Sequence, residues 1–110
     1  MMVVGTDAPV DSRQLGRIGR RAAMGLARAG GIADHSSGDF IIAFSNTDGG
    51  GSLDDSELTP LFRAAIESTE EAVINSVLRA HTVVGRDGNT RQGIPIEDVR
   101  RILQANGIGA

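Results

Sequence analysis

The sequence has no cysteine, which excludes disulfides, thiolate metal sites and a cysteine nucleophile. Any chemistry falls to hydroxyls, carboxylates, amides and two histidines. Tryptophan and tyrosine are also missing, and Phe40, Phe44 and Phe62 are the only aromatic residues. A core must therefore be assembled from Ile, Leu, Val, Ala and Met, which is thin for a self-sufficient domain of 110 residues. The 15 glycines let backbone approach backbone closely while weakening isolated elements. A piece that completes its core against another chain or segment is the expectation.

Positive charge is not in excess. The formal net charge is −3 and the isoelectric point is near 5.2, so no field draws the chain to nucleic acid or to an anionic membrane. No apolar run approaches the roughly 20 residues that span a bilayer, and the charged, apolar, small-residue order of a signal peptide is absent. Neither nucleic acid nor membrane is an expected partner, and the expected location is the cytoplasm, or the periplasm if a signal lies upstream. Gly85-Arg86-Asp87-Gly88 and Gly49-Gly50-Gly51 fit turns and match neither a Walker loop nor a dinucleotide fingerprint. His35 and His81 have no ligand-spaced carboxylates around them, so zinc is not expected, and no cofactor is implied. His81 near a helix C-terminus suits the helix dipole.

What is present is the composition of a folded protein, 40% apolar and 23% charged, read as one domain or subunit-like piece over residues 1–110. Met1 to Val4 is an apolar strand that ends in the turn Gly5-Thr6-Asp7-Ala8-Pro9. From Asp11, Leu15, Ile18, Ala22, Leu26 and Ala29 recur at helical steps, with Asp11 or Ser12 as N-cap and a stop at Gly30-Gly31. Arg13, Arg17, Arg20, Arg21 and Arg28 fall mostly on the other, solvated face. The run Phe40-Ile41-Ile42-Ala43-Phe44 is apolar at every position and predicts a strand buried on both faces. Pro60 opens a long helix reaching about His81, Val83 to Gly93 reads as a turn region, and Pro95 opens a short helix with Val99, Ile102 and Leu103 inward. The order is strand, helix, strand, helix, helix.

Two segments could carry chemistry. Asn46-x-Asp48-x-Gly50-Gly51 with Glu57 has the spacing of a calcium loop, but its first position is Asn and a strand precedes it, which favours an ordinary acidic turn. Ser36-Ser37-Gly38-Asp39 leads into the most buried strand. On its own it is either a strand-opening turn or part of a site.

A wider pattern bears on that choice. Val3-Val4-Gly5-Thr6-Asp7-Ala8-Pro9, Gln14-Leu15, Arg20-Arg21-Ala22-Ala23-Met24-Gly25-Leu26-Ala27-Arg28, Ser36-Ser37-Gly38-Asp39-Phe40 and Ala43-Phe44-Ser45 together closely resemble the DmpA and β-peptidyl aminopeptidase family. Leu61-Phe62, Thr69-Glu70-Glu71-Ala72 and Asn75-Ser76 resemble that family's long helix. The resemblance implies an α/β fold, part of an αββα sandwich of the DmpA/ornithine acetyltransferase-like kind. It also implies an N-terminal-nucleophile hydrolase whose precursor cleaves itself ahead of a Ser. That Ser is expected about two positions before Met1. Ser37 and Asp39 fall on two further active-site positions of the family, the second of which is Glu in some relatives.

By the same resemblance the partners are the larger upstream (α) subunit of the same precursor, which supplies the oxyanion donor, and a small peptide, amide or ester substrate. The assembly implied is a homo-oligomer of heterodimers. The chain alone is expected to be inactive, and to be marginal or self-associating because the sheet face covered by the upstream subunit is left open. A non-catalytic remnant that keeps the same half-fold is the rival reading.

Overall fold

The computed structural model describes residues 1–36, 38–48 and 50–109. Its contacts divide into two compact units, 1–73 and 74–110. The first unit is built on two parallel strands, β1 (Met2–Thr6) and β2 (Ile41–Ser45), paired in the register Met2↔Ile41 to Thr6↔Ser45. Parallel neighbours need a long crossover, and α1 (Ser12–Arg28) supplies it. Asp11 caps α1 as the sequence predicts: its carboxylate accepts the Gln14 amide at 2.7 Å, while Gln14 Oε1 accepts the Asp11 amide at 3.3 Å.

The strand pleat sets two faces. Met2, Val4, Thr6, Ile41, Ala43 and Ser45 point inward and are half-buried, and α1 lies on them through Gly19, whose missing side chain would stand 3.2 Å from Ala43 Cβ. The core joins Val10, Ile18, Leu58 and Ala65, with Val4, Leu15, Leu61 and Phe62 packed against it. Helix α2 (Leu58–Leu78) therefore shares the inner face, and it touches α1 at Gly25, where any Cβ would collide with the Ile66 carbonyl and come within 2.7 Å of Thr69 Cβ.

The outer face stays open. Val3 is 59% exposed, Ile42 51% and Phe44 49%, so the expectation of a strand buried on both faces holds on one side only. Both helices of this unit pack on the same face, and among its described residues no second layer covers the other, which is the open face expected of the half-fold.

Further boundaries differ from the sequence reading: Gly5 and Thr6, expected in the turn, belong to β1, and β2 is shifted one residue onward. Helix α2 begins two residues before Pro60, because Asp54 caps a 3₁₀ turn at Asp55–Glu57 that runs straight into it. Pro60 still lies in the first turn, where its missing N–H costs nothing. The same helix ends at Leu78, short of His81.

The arginine stripe on α1 is less idle than a solvated face. Arg13 and Arg17 both grip Asp55, at 2.7 and 2.8 Å, and Arg21 stacks on the Phe62 ring with its guanidinium carbon 3.9 Å from the centroid. The fully buried Gln14 donates to the Leu53 carbonyl at 2.7 Å and accepts the Leu53 amide at 3.2 Å. The segment after β2 is thereby tied to the start of α1.

In the second unit, residues expected to form only turns include a short antiparallel ladder, β3 (Val83–Val84) with β4 (Thr90–Arg91), closed by Arg86–Gly88, where Asp87 adopts φ 58° and Gly88 φ 75°. Pro95 caps α3 (Ile96–Ala105) as expected, but Ile102 and Leu103 are exposed rather than inward and only Val99 is half-buried. The reason is local: none of the described residues after Val73 is buried, so this unit has no core for them to enter.

Two outcomes follow from this packing. Gly25→Val should lower the urea midpoint by an amount corresponding to about 1–3 kcal/mol, since the collision is with backbone that cannot rotate away. The two guanidiniums and Gln14 hold the Asp55 carboxyl well below the usual range, the Arg13 hydrogen bond contributing most. A folded-state pKa below the unfolded one stabilises above about pH 4 and is lost as pH falls toward the depressed value. Thermal melts of Asp55→Asn should lie below those of the parent at pH 7, and the gap should close as pH drops below 4.

Candidate active site

The parallel register brings the beginning of β1 beside the beginning of β2. The Met2 amide donates to the Phe40 carbonyl at 2.8 Å, one step ahead of the first strand pair. Continuing the register sets Met1 abreast of Phe40, so Asp39 stands at the sheet rim where β1 opens. Asp39 is exposed, in backbone that belongs to no regular element. Ser37, the other residue read as catalytic from the sequence, lies outside the described residues.

The turn ahead of Asp39 is organised by a residue that the sequence reading did not single out. Asp34 Oδ1 accepts the Ser36 amide at 3.0 Å and the Ser36 hydroxyl at 2.9 Å, and His35 Nδ1 lies 3.3 Å from the same oxygen. These donors, the Ser36 amide first, hold the Asp34 carboxyl below its ordinary value. The signal was available, since Asp followed two residues later by Ser is an Asx-turn pattern. A carboxylate fixed by its own neighbours is a loop anchor rather than a free acid or base.

Elsewhere the candidate groups are otherwise engaged. Asp54 accepts from the Ser56 amide and hydroxyl, at 2.8 and 2.6 Å, and the Glu57 carboxylate accepts the Asp54 amide at 3.1 Å. Two carboxylates of the calcium-like loop are thus used in capping, and among the described residues no group of three His, Cys, Asp or Glu side chains could hold a metal ion. At the far end of the strands, the Ser45 hydroxyl donates to the Ala8 carbonyl at 2.9 Å and the Thr47 hydroxyl to the Asp7 carbonyl, stapling the Thr6-Asp7-Ala8-Pro9 turn to the exit of β2. That turn, prominent in the sequence, positions β1 from the end opposite the candidate site.

Known proteins resemble the chain over nearly its whole length. The model of Peptidase family S58 matches residues 1–91. The Beta-peptidyl aminopeptidase BapA of Sphingosinicella xenopeptidilytica is 35% identical, over 96% of this chain and 29% of the relative. A Burkholderia sp. beta-aminopeptidase superposes with a TM-score of 0.82 at 30% identity, over 98% of this chain and 35% of that one. The l-aminopeptidase d-ala-esterase/amidase of Ochrobactrum anthropi, described as a new variant among the Ntn hydrolase fold, gives 0.67 at 27% identity, over 99% and 34%. The chain thus spans about a third of the length of the proteins it matches. Its α/β arrangement is part of the Ntn-hydrolase fold of these aminopeptidases.

If Asp34 anchors the turn as described, Asp34→Ala should raise the amide exchange rate of Ser36, read by hydrogen exchange and NMR. In the parent the protection should persist below the normal carboxylate range and disappear only as pH falls through the depressed value. Equal exchange in parent and variant at pH 6 would show that the turn holds without it.

Proposed function

The chain belongs to peptidase family S58, and on that premise we propose that it is the β-subunit-like portion of a serine-type N-terminal-nucleophile aminopeptidase. Its reaction would release amino-terminal residues from small peptides, amides or esters through an acyl-enzyme. The observation that carries this reading is the family match over residues 1–91, and the Met2–Phe40 hydrogen bond supports it by setting the start of β1 beside the approach to β2 that holds Asp39.

In this reading the nucleophile is a Ser about two positions upstream of Met1, freed as an amino terminus by self-cleavage. Its α-amine, with an ordinary pKa near 8, takes the hydroxyl proton as the oxygen attacks the substrate carbonyl. The same proton passes to the departing amine when the tetrahedral adduct collapses. Water then repeats the sequence on the acyl-Ser, using the amine again as base, and restores the free Ser. Ser37 hydrogen-bonds the nucleophile or its amine, while Asp39 holds Ser37 and stabilises the ammonium form. An Asp at this position reaches one methylene less than the Glu of some relatives.

The oxyanion donors are assigned to the larger upstream polypeptide, and so is the cover for Val3, Ile42 and Phe44 on the outer face. Because these three side chains are about half exposed, covering them would recover part of the about 1.5 to 3 kcal/mol that full burial of each supplies. A homo-oligomer of such heterodimers is the proposed assembly.

The test requires the reading frame extended upstream of Met1. Mass spectrometry should find cleavage immediately before a Ser, and the product should turn over aminoacyl p-nitroanilides. In that enzyme Ser37→Ala and Asp39→Ala should each lower kcat by about 10² to 10⁴ with little change in the melting curve. Near-normal kcat in both variants would return the segment to a strand-opening turn, and an upstream frame without a Ser would leave the non-catalytic remnant as the better description.

A further inference from the structure

We propose that Asn106 is a site of spontaneous modification, losing its side-chain amide through a cyclic imide formed with the Gly107 nitrogen, and that the cap at the end of α3 sets the rate. The proposal stands apart from the aminopeptidase reading, since it uses no residue of the candidate active site.

The sequence has four asparagines, followed by Thr47, Ser76, Thr90 and Gly107. Closing the imide asks the backbone nitrogen of the following residue to reach the asparagine side-chain carbon, and a side chain on that residue stands in the way. Only Asn106 meets no such obstacle. The glycine beside it serves the fold: Gly107 takes φ 71°, the left-handed turn that ends the helix, and nothing lies within 4 Å of where its Cβ would stand. Backbone conformation, not crowding, requires glycine here. The residue that closes the helix therefore also leaves Asn106 chemically open.

While the cap is closed the reaction is held back. Asn106 has ψ 10°, which sets the Gly107 nitrogen over the Asn106 nitrogen instead of round toward the side chain. The Gly107 amide donates to the Gln104 carbonyl at 3.0 Å and the Ile108 amide to the Leu103 carbonyl at 2.9 Å, and these bonds fix that rotation. Asn106 Nδ2, the nitrogen that must leave, donates to the Ile102 carbonyl at 2.8 Å. Residues 102–108 are all exposed and none of the described residues after Val73 is buried, so little besides the cap bonds resists opening.

In the open form the Gly107 nitrogen, having given its proton to solvent, attacks Asn106 Cγ. The bond from Cγ to Nδ2 breaks and ammonia leaves with a proton from water. A second water opens the imide at either carbonyl, giving aspartate or isoaspartate. Neither product restores the cap. The aspartate has no side-chain N–H for the Ile102 carbonyl and adds a negative charge at the carbonyl end of α3. The isoaspartate lengthens the main chain by a methylene ahead of Gly107, so the two cap bonds lose their spacing. The reaction thus converts a closed helix end into a frayed one, irreversibly.

The experiment keeps the full chain in mildly alkaline buffer and digests samples with trypsin at intervals. Cleavage after Arg101 releases residues 102–110, which hold a single asparagine. Mass spectrometry should place the mass gain of amide-to-acid conversion on Asn106, in two chromatographic forms, while Asn46, Asn75 and Asn89 stay intact over the same period. Ile108→Pro removes the donor to Leu103 and leaves the Asn-Gly pair as it is. That variant should react several-fold faster than the parent, and the two rates should converge in concentrated urea. An Asn106 that reacts no faster than the other three asparagines in urea would overturn the site. Equal rates for the parent in native buffer and in urea, or an unchanged rate in Ile108→Pro, would overturn control by the cap.

Discussion

Two parallel strands cannot be joined by a tight turn, so the pairing of Met2–Thr6 with Ile41–Ser45 forces a crossover, and α1 is that crossover. The pairing decides the inner and outer faces residue by residue, and a slip of one position would exchange them. It also brings two chain segments 38 residues apart in sequence to a common rim, Met2 donating to the carbonyl of Phe40. Nothing in the candidate site is local in sequence except the short run from Asp34 to Phe40. The register is what makes that run adjacent to the opening of β1.

That register depends on close helix packing. Gly19 lets α1 settle on Ala43 and Ile41, and Gly25 lets α2 come up to α1 with its own backbone at the contact. Two of the glycines that look like a weakness in the composition serve these crossings. At the other end, the Gln14 clamp and the paired grip of Arg13 and Arg17 on Asp55 hold the long connection after β2 against the start of α1.

Much of this was legible in the sequence. The α1 cap and its stop near Gly30, both strands and the helix after Pro95 follow from local signals: a side-chain oxygen ahead of an apolar period, a glycine after it, a proline that cannot pair. The start of α2 was displaced because the capping box lies in Asp54 and Glu57, upstream of the more conspicuous proline. An uninterrupted apolar run such as Phe40 to Phe44 says that both faces of a strand seek cover, but not whether this chain provides it. Ile102 and Leu103 failed for the same reason, since helical period predicts a face and not a partner for it. Asp39 could be placed at the mouth of β2 from sequence alone, whereas its nearness to β1 required the long-range pairing.

The direction of α1 has an electrostatic consequence. Because the helix returns against the strands, its amide end lies by the exit of β2, tied there through Asp11 and Gln14, and its carbonyl end lies toward the edge where the strands begin. A helix terminus of this kind carries roughly half a negative charge. The one basic residue of its last turn, Arg28, is drawn aside to Glu70 at 2.8 Å, and the loop that follows carries Asp34 and Asp39. The strand-start edge of this unit therefore gathers the negative end of α1 with the carboxylates of Asp34 and Asp39, at the end of the sheet opposite the Thr6-to-Pro9 turn.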